Sequence, residues 1–571
     1  MIKVMQGFDE FVNNVIKEWK VPGAAVAVVK DSEVVHSQGY GLRDVEKQLP
    51  VTPQTLFAIG STTKAFTAAM AGILVDDGVL EWDKPICEYI PEFKMFDPFA
   101  SANLTMRDML CHRSGLPRHE FVWYHREISR KDLMKTLAYL EPNKSFRSRW
   151  EYQNIIYATT GYVMEAITGK TWEELVRERI FQPLGMTSTN FSVLDSQKSP
   201  DFSQPYQEKD EVVSQVPFAQ IDTIGPAGSI NSNLEDMSKW LLLNLSGGKV
   251  GEKQIISEAN LKTIHRPQMV IVGEESPFAD TDTDSLEDYG LAWGIYHYRG
   301  IPILEHSGGI DGFITEVALA PRQNLGVVAF VNANSMLPMV LYRSVLDRML
   351  ELEPIDWNDR YQKRVVKMKE MGKQAKEKSA GDRKPDTHPS HALEEYTGKY
   401  QHPAYGELEF RLEDGKLVTD FRGSPMELVH YHYDVFEGEF TLVDVSFKFT
   451  FEMDASGNID RVSSPLEASV KPIVFTRVAS DEMRQRSFLE PFVGEYELMG
   501  QTLKIFLKGE NTLVASGPGM TDQELVPYRG TQFKLKGMEA VSLEFKVDSS
   551  EAAGEVVIVQ PGATLTAKRK V

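Results

Sequence analysis

FAIGSTTKAF (residues 57–66) places a serine three positions ahead of a lysine, where an apolar helical rhythm begins. The rhythm runs through Phe66, Met70, Ile73 and Leu74, spaced for one buried helical face, and stops at Gly78. On such a helix Ser61 and Lys64 lie one turn apart on the same side, close enough to share a proton. A serine hydroxyl is nearly inert at neutral pH and attacks a carbonyl only when a neighbouring base takes its proton. Lys64 is such a base only where burial or a nearby cation lowers its pKa. The Ser61 amide, at the start of a helix, also points to where an oxyanion would form. The structural alternative is a helix-capping serine beside a surface lysine.

Spacing alone does not decide between these readings. Ser246 and Lys249 in LSGGKVG repeat the pattern, but they sit at a Gly-Gly turn with no helix after it. Two further stretches separate the first copy from the second. RWEYQNIIYATTGYVMEAITG (149–169) sets Tyr152 and Asn154 just ahead of a helical pattern. A tyrosine beside a lysine can relay protons, and an asparagine can hydrogen-bond both the lysine and a substrate amide. EHSGGIDGF (305–313) joins a strand ending at His306 to a glycine-rich bend. Glycines let the backbone approach a ligand, which makes Gly309 the candidate second oxyanion donor. Taken singly, Tyr152 reads as a core aromatic and His306 as an edge-strand histidine.

Taken in order, S-x-x-K, Y-x-N and H-x-G resemble the penicillin-recognising serine hydrolases. The nearest branch is that of class C β-lactamases, D-aminopeptidases and family VIII carboxylesterases. LTMRDMLCHRSGLP (104–117), PAGSINSNLEDMSKW (226–240) and YGLAWGI (289–295) look like the same branch, so the likeness spans roughly residues 8 to 350. The resemblance implies one mixed sheet with a helical subdomain and a site between them. It implies Ser61 as nucleophile, Lys64 and Tyr152 as a coupled acid–base pair, Asn154 as positioner and His306 as the third-motif residue. The oxyanion hole is then formed by Ser61 and Gly309, and Ser307 and Gly308 are the substrate-binding candidates. Which of Lys64 and Tyr152 takes the first proton stays open.

His306 stands where most of that family has lysine, and a histidine is largely neutral at pH 7. Recognition of a substrate carboxylate is therefore expected to be weaker. That shifts the expectation from β-lactamase or penicillin-binding protein toward D-aminopeptidase, other D-peptidase, amidase or carboxylesterase. A non-catalytic scaffold with the same fold is the alternative of a different class. No G-x-S-x-G elbow and no H-E-x-x-H pair occurs, so neither an α/β-hydrolase nor a metallohydrolase is expected, and no cofactor or metal is called for.

Composition sets the frame. The 571 residues are 42% hydrophobic and 25% charged, ordinary for globular protein, and exceed what one core holds. Lys plus Arg number 62 against 82 Asp plus Glu, a net charge of −20 that disfavours nucleic acid and anionic membranes as partners. A small molecule or short peptide is the expected substrate. Val4, Phe8, Val12 and Ile16 recur at helical intervals broken by charges, unlike a signal peptide, and no apolar run is long enough to span a bilayer. A cytoplasmic location follows as the expectation. Cys87 and Cys111 read as free buried thiols.

GAAVAVVKDSEVVHSQGYG (23–41) reads as a hairpin, residues 159–181 as a further helical stretch, and IPILEH, FITEVALA and LGVVAFVNA as later strands before a helix from Pro338 to Glu351. The fold class expected is α+β: a β-lactamase-like domain over 1–351, its antiparallel sheet built from both ends of the segment. A charged helix and linker follow at 352–392. LEEYTGKY (393–400) and LEPFVGEY (489–496) then form a weak repeat, each followed by alternating apolar and polar residues. Two small antiparallel β-barrels, 393–480 and 485–571, fit that pattern, an architecture like that of D-aminopeptidases. Barrel segments 516–524 and 429–440 are the candidate loops for restricting the cleft, and homo-oligomer contacts are the alternative role of the tail.

Overall fold

The computed structural model describes residues 4–271, 284–441, 445–517, 521–547 and 552–570. It divides into two compact units, Met1–Asp382 and Arg383–Val571. Among the described residues the first unit holds a nine-stranded sheet and the second holds two closed eight-stranded barrels. No described helix is long and apolar enough to cross a membrane.

The sheet explains the apolar runs of the sequence. Its strands are β1 (Gly23–Lys30), β2 (Glu33–Asp44), β3 (Leu49–Pro50), β4 (Met269–Val270), β5 (Asp284–Tyr289), β6 (Gly294–Tyr298), β7 (Ile301–Ile310), β8 (Phe313–Ala320) and β9 (Leu325–Val331). Their order is β4-β5-β6-β7-β8-β9-β1-β2-β3. β1 from the start of the unit pairs with β9 from its end, Ala24 opposite Val331 through Lys30 opposite Leu325. Every pairing in the sheet is antiparallel, which corrects the mixed sheet that the family resemblance implied. GAAVAVV and LGVVAFV are apolar at every position because both faces of these central strands are covered.

One face is covered by α1 (Phe8–Glu18), which buries Phe8, Val12, Val15 and Ile16, together with α5 (Leu337–Met349). The other carries α2 (Thr63–Asp76) and α4 (Leu234–Leu245), joined where Phe66 and Trp240 stack with centroids 3.9 Å apart. Between them in sequence lies α3 (Asn154–Thr168), ended by Gly169 at φ 73. The helical rhythm expected over 159–181 is therefore broken there, and a new short helix starts at Trp172. Cys111 is buried, and burial pushes its thiol up to about 12; Cys87 is half-buried rather than enclosed.

The charged helix α6 (Trp357–Gly381) is mostly exposed, as its composition predicts, but its first turns are not linker. Trp357 and Tyr361 are buried in the core of the first unit, and the Trp357 indole donates to Asp347 at 2.8 Å. The first unit thus extends past residue 351, because Trp357 and Tyr361, one turn apart, face its core ahead of the Lys- and Arg-rich run.

The repeat in the second unit has a physical basis. In each barrel the last tyrosine of the repeat, Tyr400 or Tyr496, is fully buried and donates to the backbone carbonyl four residues earlier, Tyr396 or Phe492. An arginine from the last strand, Arg477 or Arg569, then reaches back to the carbonyl of Thr397 or Val493, both at 2.6 Å. Gly398 and Gly494 are glycines because that arginine occupies the space a Cβ would need. The motif closes each barrel by clasping its first strand to its last. Residues 429–440, read from sequence as a loop, are two strands joined at Tyr433–Asp434. Residues 518–520 of the other candidate loop lie outside the described residues.

Replacing Trp357 with alanine removes a fully buried indole, and such truncations destabilise by about 3–5 kcal/mol. Urea unfolding of the first unit, followed by tryptophan fluorescence, should show a loss of that size. A change within error would assign the helix to the linker.

Candidate active site

Ser61 sits in a single 3-10 turn, Gly60–Thr62, that feeds directly into α2. The turn packs backbone to backbone against the end of β7. A Cβ on Gly308 would lie 1.9 Å from the Ile59 carbonyl oxygen and 3.0 Å from the Ser61 nitrogen. A Cβ on Gly60, itself at φ 51, would lie 2.8 Å from the Gly309 nitrogen. Glycine is required on both sides of this contact, and the contact brings the Ser61 and Gly309 amides to one wall of a cavity of about 630 Å³. β7 is paired with β6 only up to Glu305, so Ser307 to Gly309 present an open strand edge to that cavity.

Lys64 is fully buried one turn along α2. Its Nζ lies 2.7 Å from Asn154 Oδ1, 2.8 Å from the Ala227 carbonyl oxygen and 3.2 Å from Ser61 Oγ. Burial drives its pKa well below 10.5, the Arg118 cation pushes the same way and the Glu120 carboxylate opposes. The Tyr152 hydroxyl donates to Ser61 Oγ at 2.7 Å, and burial holds that phenol above its usual 10. The four residues of the first two motifs therefore converge, whereas Ser246 caps the C-terminus of α4 and bonds to the Lys249 backbone.

His306 is placed differently from a lysine substitute. Its Nδ1 donates to the Ser307 carbonyl at 2.5 Å, and its Nε2 accepts from the Tyr289 hydroxyl at 3.0 Å. Burial and the nearby Lys64 lower its pKa to about 3, so the ring is neutral. It shapes the strand edge and supplies no cation to the cavity.

Sequence reasoning missed three groups here. Arg118 lines the cavity with its guanidinium 4.7 Å above the Tyr152 ring. Glu120 accepts from Arg118 Nε at 2.8 Å and from Asn154 Nδ2 at 3.1 Å. Tyr289 carries the hydrogen bond to His306 and packs on His112 behind Tyr152. The signal available was the Arg-His-Glu triplet directly after SGLP, two opposite charges in an otherwise apolar stretch. Among the described residues, no three His, Cys, Asp or Glu side chains cluster as metal ligands.

With the geometry in place, comparison with known proteins is informative. A β-lactamase family model matches residues 8–348, and a family described only as a domain of unknown function (DUF3471) matches 382–477. The chain is 33% identical over 425 residues to the unguisins hydrolase ungD' of Aspergillus campestris, covering 71% of this chain and 77% of that protein. It is 31% identical over 445 residues to the unguisins hydrolase ungD of Aspergillus violaceofuscus, covering 72% and 77%. The octameric penicillin-binding protein homologue of Pyrococcus abyssi shares the fold, with TM-score 0.54 and 22% identity over 82% of this chain and 99% of that one.

The Gly308 contact yields a direct test. In Gly308→Ala the methyl group displaces β7 from the Ser61 turn, and a displacement of about 1 Å at reacting groups lowers turnover by about 100-fold. Circular dichroism should be unchanged while ester hydrolysis falls. Full activity would show that the strand is not part of the site.

Proposed function

The chain belongs to the β-lactamase family, and we propose that it is a serine hydrolase that cleaves peptide or amide bonds through an acyl-enzyme on Ser61. The observation that carries the reading is the surroundings of Lys64 Nζ. A neutral amine has two N–H donors and one lone pair. The Asn154 and Ala227 carbonyl oxygens take the two donors, so the lone pair faces Ser61 Oγ. Lys64 is then the base of acylation, and Tyr152, held protonated by burial, is the acid.

In the proposed cycle Ser61 Oγ attacks the carbonyl carbon as its proton moves to Lys64, and the Ser61 and Gly309 amides hold the oxyanion. Tyr152 gives its proton to the leaving nitrogen as the C–N bond breaks, and Lys64 restores it. Water then attacks the ester with Lys64 again taking the proton. The released acid leaves Ser61 and Lys64 as they began.

The substrate class proposed is a D-aminopeptidase, D-peptidase or amidase substrate. A neutral His306 removes the third-motif cation that would hold a carboxylate. Glu151 and Glu305 line the same cavity and suit a substrate ammonium. The two relatives named unguisins hydrolases support hydrolytic chemistry at a site of this kind.

Ser61→Ala should abolish turnover of D-amino-acid anilides and p-nitrophenyl esters and leave the fold intact. A fluorescent phosphonate should label wild type and not the variant. Equal activity in Ser61→Ala would refute the nucleophile, and preference for a chromogenic cephalosporin would refute the substrate class. Because Lys64 must be unprotonated to act, and burial lowers its pKa, activity should persist at neutral pH and fall on acidification.

A further inference from the structure

Asn154 can serve Lys64 only in one of its two amide orientations. With Oδ1 toward Nζ it accepts a lysine N–H; flipped, its Nδ2–H would donate to the lysine lone pair and turn it from Ser61. Something must therefore hold the amide. Asn154 opens α3, and its other end faces Glu120, whose carboxylate oxygens lie 3.1 and 3.4 Å from Nδ2. A flipped amide would bring Oδ1 against that carboxylate. Glu120 lies in a short turn, Glu120–Val122, entered through His119 at φ 47, and its side chain keeps 27% of its surface exposed. Arg118, two residues earlier, donates from Nε to the same Glu120 oxygen that takes the Asn154 bond.

We propose that Glu120, neutralised by Arg118, is a positioning residue that locks the Asn154 amide and so aims the Lys64 lone pair at Ser61. This rests on the serine hydrolase reading above and adds two residues to it. The line of contacts runs Arg118, Glu120, Asn154, Lys64, Ser61, with each link a hydrogen bond. It also carries charge. The groups facing Lys64 are Arg118 and Glu120 from the loop after SGLP, Tyr152 ahead of α3, Tyr157 on α3, His112, and His306 on β7. The two histidines are neutral and the two phenols protonated, because burial disfavours their charged forms. Among these groups, Arg118 brings a fixed positive charge and Glu120 a carboxylate of opposite sign, whose pKa burial raises while Arg118 and the Asn154 bond hold it down.

Two variants separate the positioning from the charge. Glu120→Gln keeps one carbonyl oxygen, enough for the Arg118 bond and the shorter Asn154 bond because both go to Oε1, and removes the negative charge together with the longer 3.4 Å contact to Oε2. Glu120→Ala removes the bonds as well. A negative charge near Lys64 favours its protonated form, so its loss in Glu120→Gln lowers the pH at which Lys64 sheds its proton. The acid limb of the kcat/KM profile should then move to lower pH, with plateau kcat close to wild type.

In Glu120→Ala plateau kcat should fall by about 100-fold with KM little changed, the scale expected when reacting groups lose alignment. Rates are expressed per Ser61 labelled by a fluorescent phosphonate, so partial unfolding lowers the titre and not the rate. An acid limb that stays in place in Glu120→Gln, or a wild-type kcat per labelled site in Glu120→Ala, overturns the proposal. Failure of wild-type Ser61 to label, with undiminished turnover in Ser61→Ala, overturns the parent reading instead.

Discussion

An amine enclosed as Lys64 is loses the hydration that stabilises its charge, and the first unit is arranged around that loss. Burial needs α2 to be apolar on nearly all sides, which is why TKAFTAAMAGIL is buried from Thr63 to Leu74. On the proposed reading Lys64 is a neutral amine, and two segments distant in sequence accept from its two N–H groups: Asn154 at the start of α3 and Ala227 in the short helix Gly225–Gly228. With those bonds formed, the proposed lone pair has one direction left, and the 3-10 turn before α2 holds Ser61 Oγ 3.2 Å away on that side. Side-chain enclosure, hydrogen-bond count and reactivity are one constraint seen at three levels.

The second constraint is backbone contact. Gly60 and Gly308 let the serine turn lie against the open edge of β7, a strand some 250 residues away in the sequence. β7 is held in place because the sheet joins both ends of the unit through β1 and β9. The long middle segment, from α2 through α4, is then packed on that sheet. Elements that carry the chemistry are thereby positioned by elements buried on both faces, which suits a site intolerant of small displacements.

Much of this was legible in the sequence. The helix after Ser61 and the continuous apolar runs of β1 and β9 have direct local causes, so they read correctly without tertiary information. HSGG does not form the bend expected after His306: β7 continues to Ile310 and the turn falls at Asp311–Gly312, because Gly308 is set by its contact with the Ser61 turn and not by a change of direction. Contacts between segments were less legible. Arg118 and Glu120 follow SGLP as an unremarked pair of charges, and nothing local says that one of them meets Asn154. Trp357 reads as part of a charged linker because the run of Lys and Arg behind it outweighs the aromatic pair Trp357 and Tyr361. The break at Gly169 and the strands at 429–440 were missed for a related reason. A glycine inside a helical rhythm and a hairpin with a two-residue turn are both settled by packing and pairing rather than by composition.

His306 shows how a substitution in a motif can change the physics rather than weaken it. A lysine at this position would place a second amine near Lys64 in an enclosed site, and like charges there would push both toward neutrality. The imidazole avoids that conflict by being neutral already and using both nitrogens, one on the Ser307 carbonyl and one on Tyr289. The bond to Ser307 occupies an acceptor on the open strand edge, and the bond from Tyr289 ties β7 to β5. What the cavity loses in cationic attraction it gains in a fixed edge, with Arg118 left as the exposed cation at its wall. Because Arg118 is already paired with Glu120, a substrate carboxylate would have to compete for it. On the proposed reading, that competition favours substrates whose recognition depends on hydrogen bonding along β7 and on the carboxylates of Glu151 and Glu305, rather than on a cation.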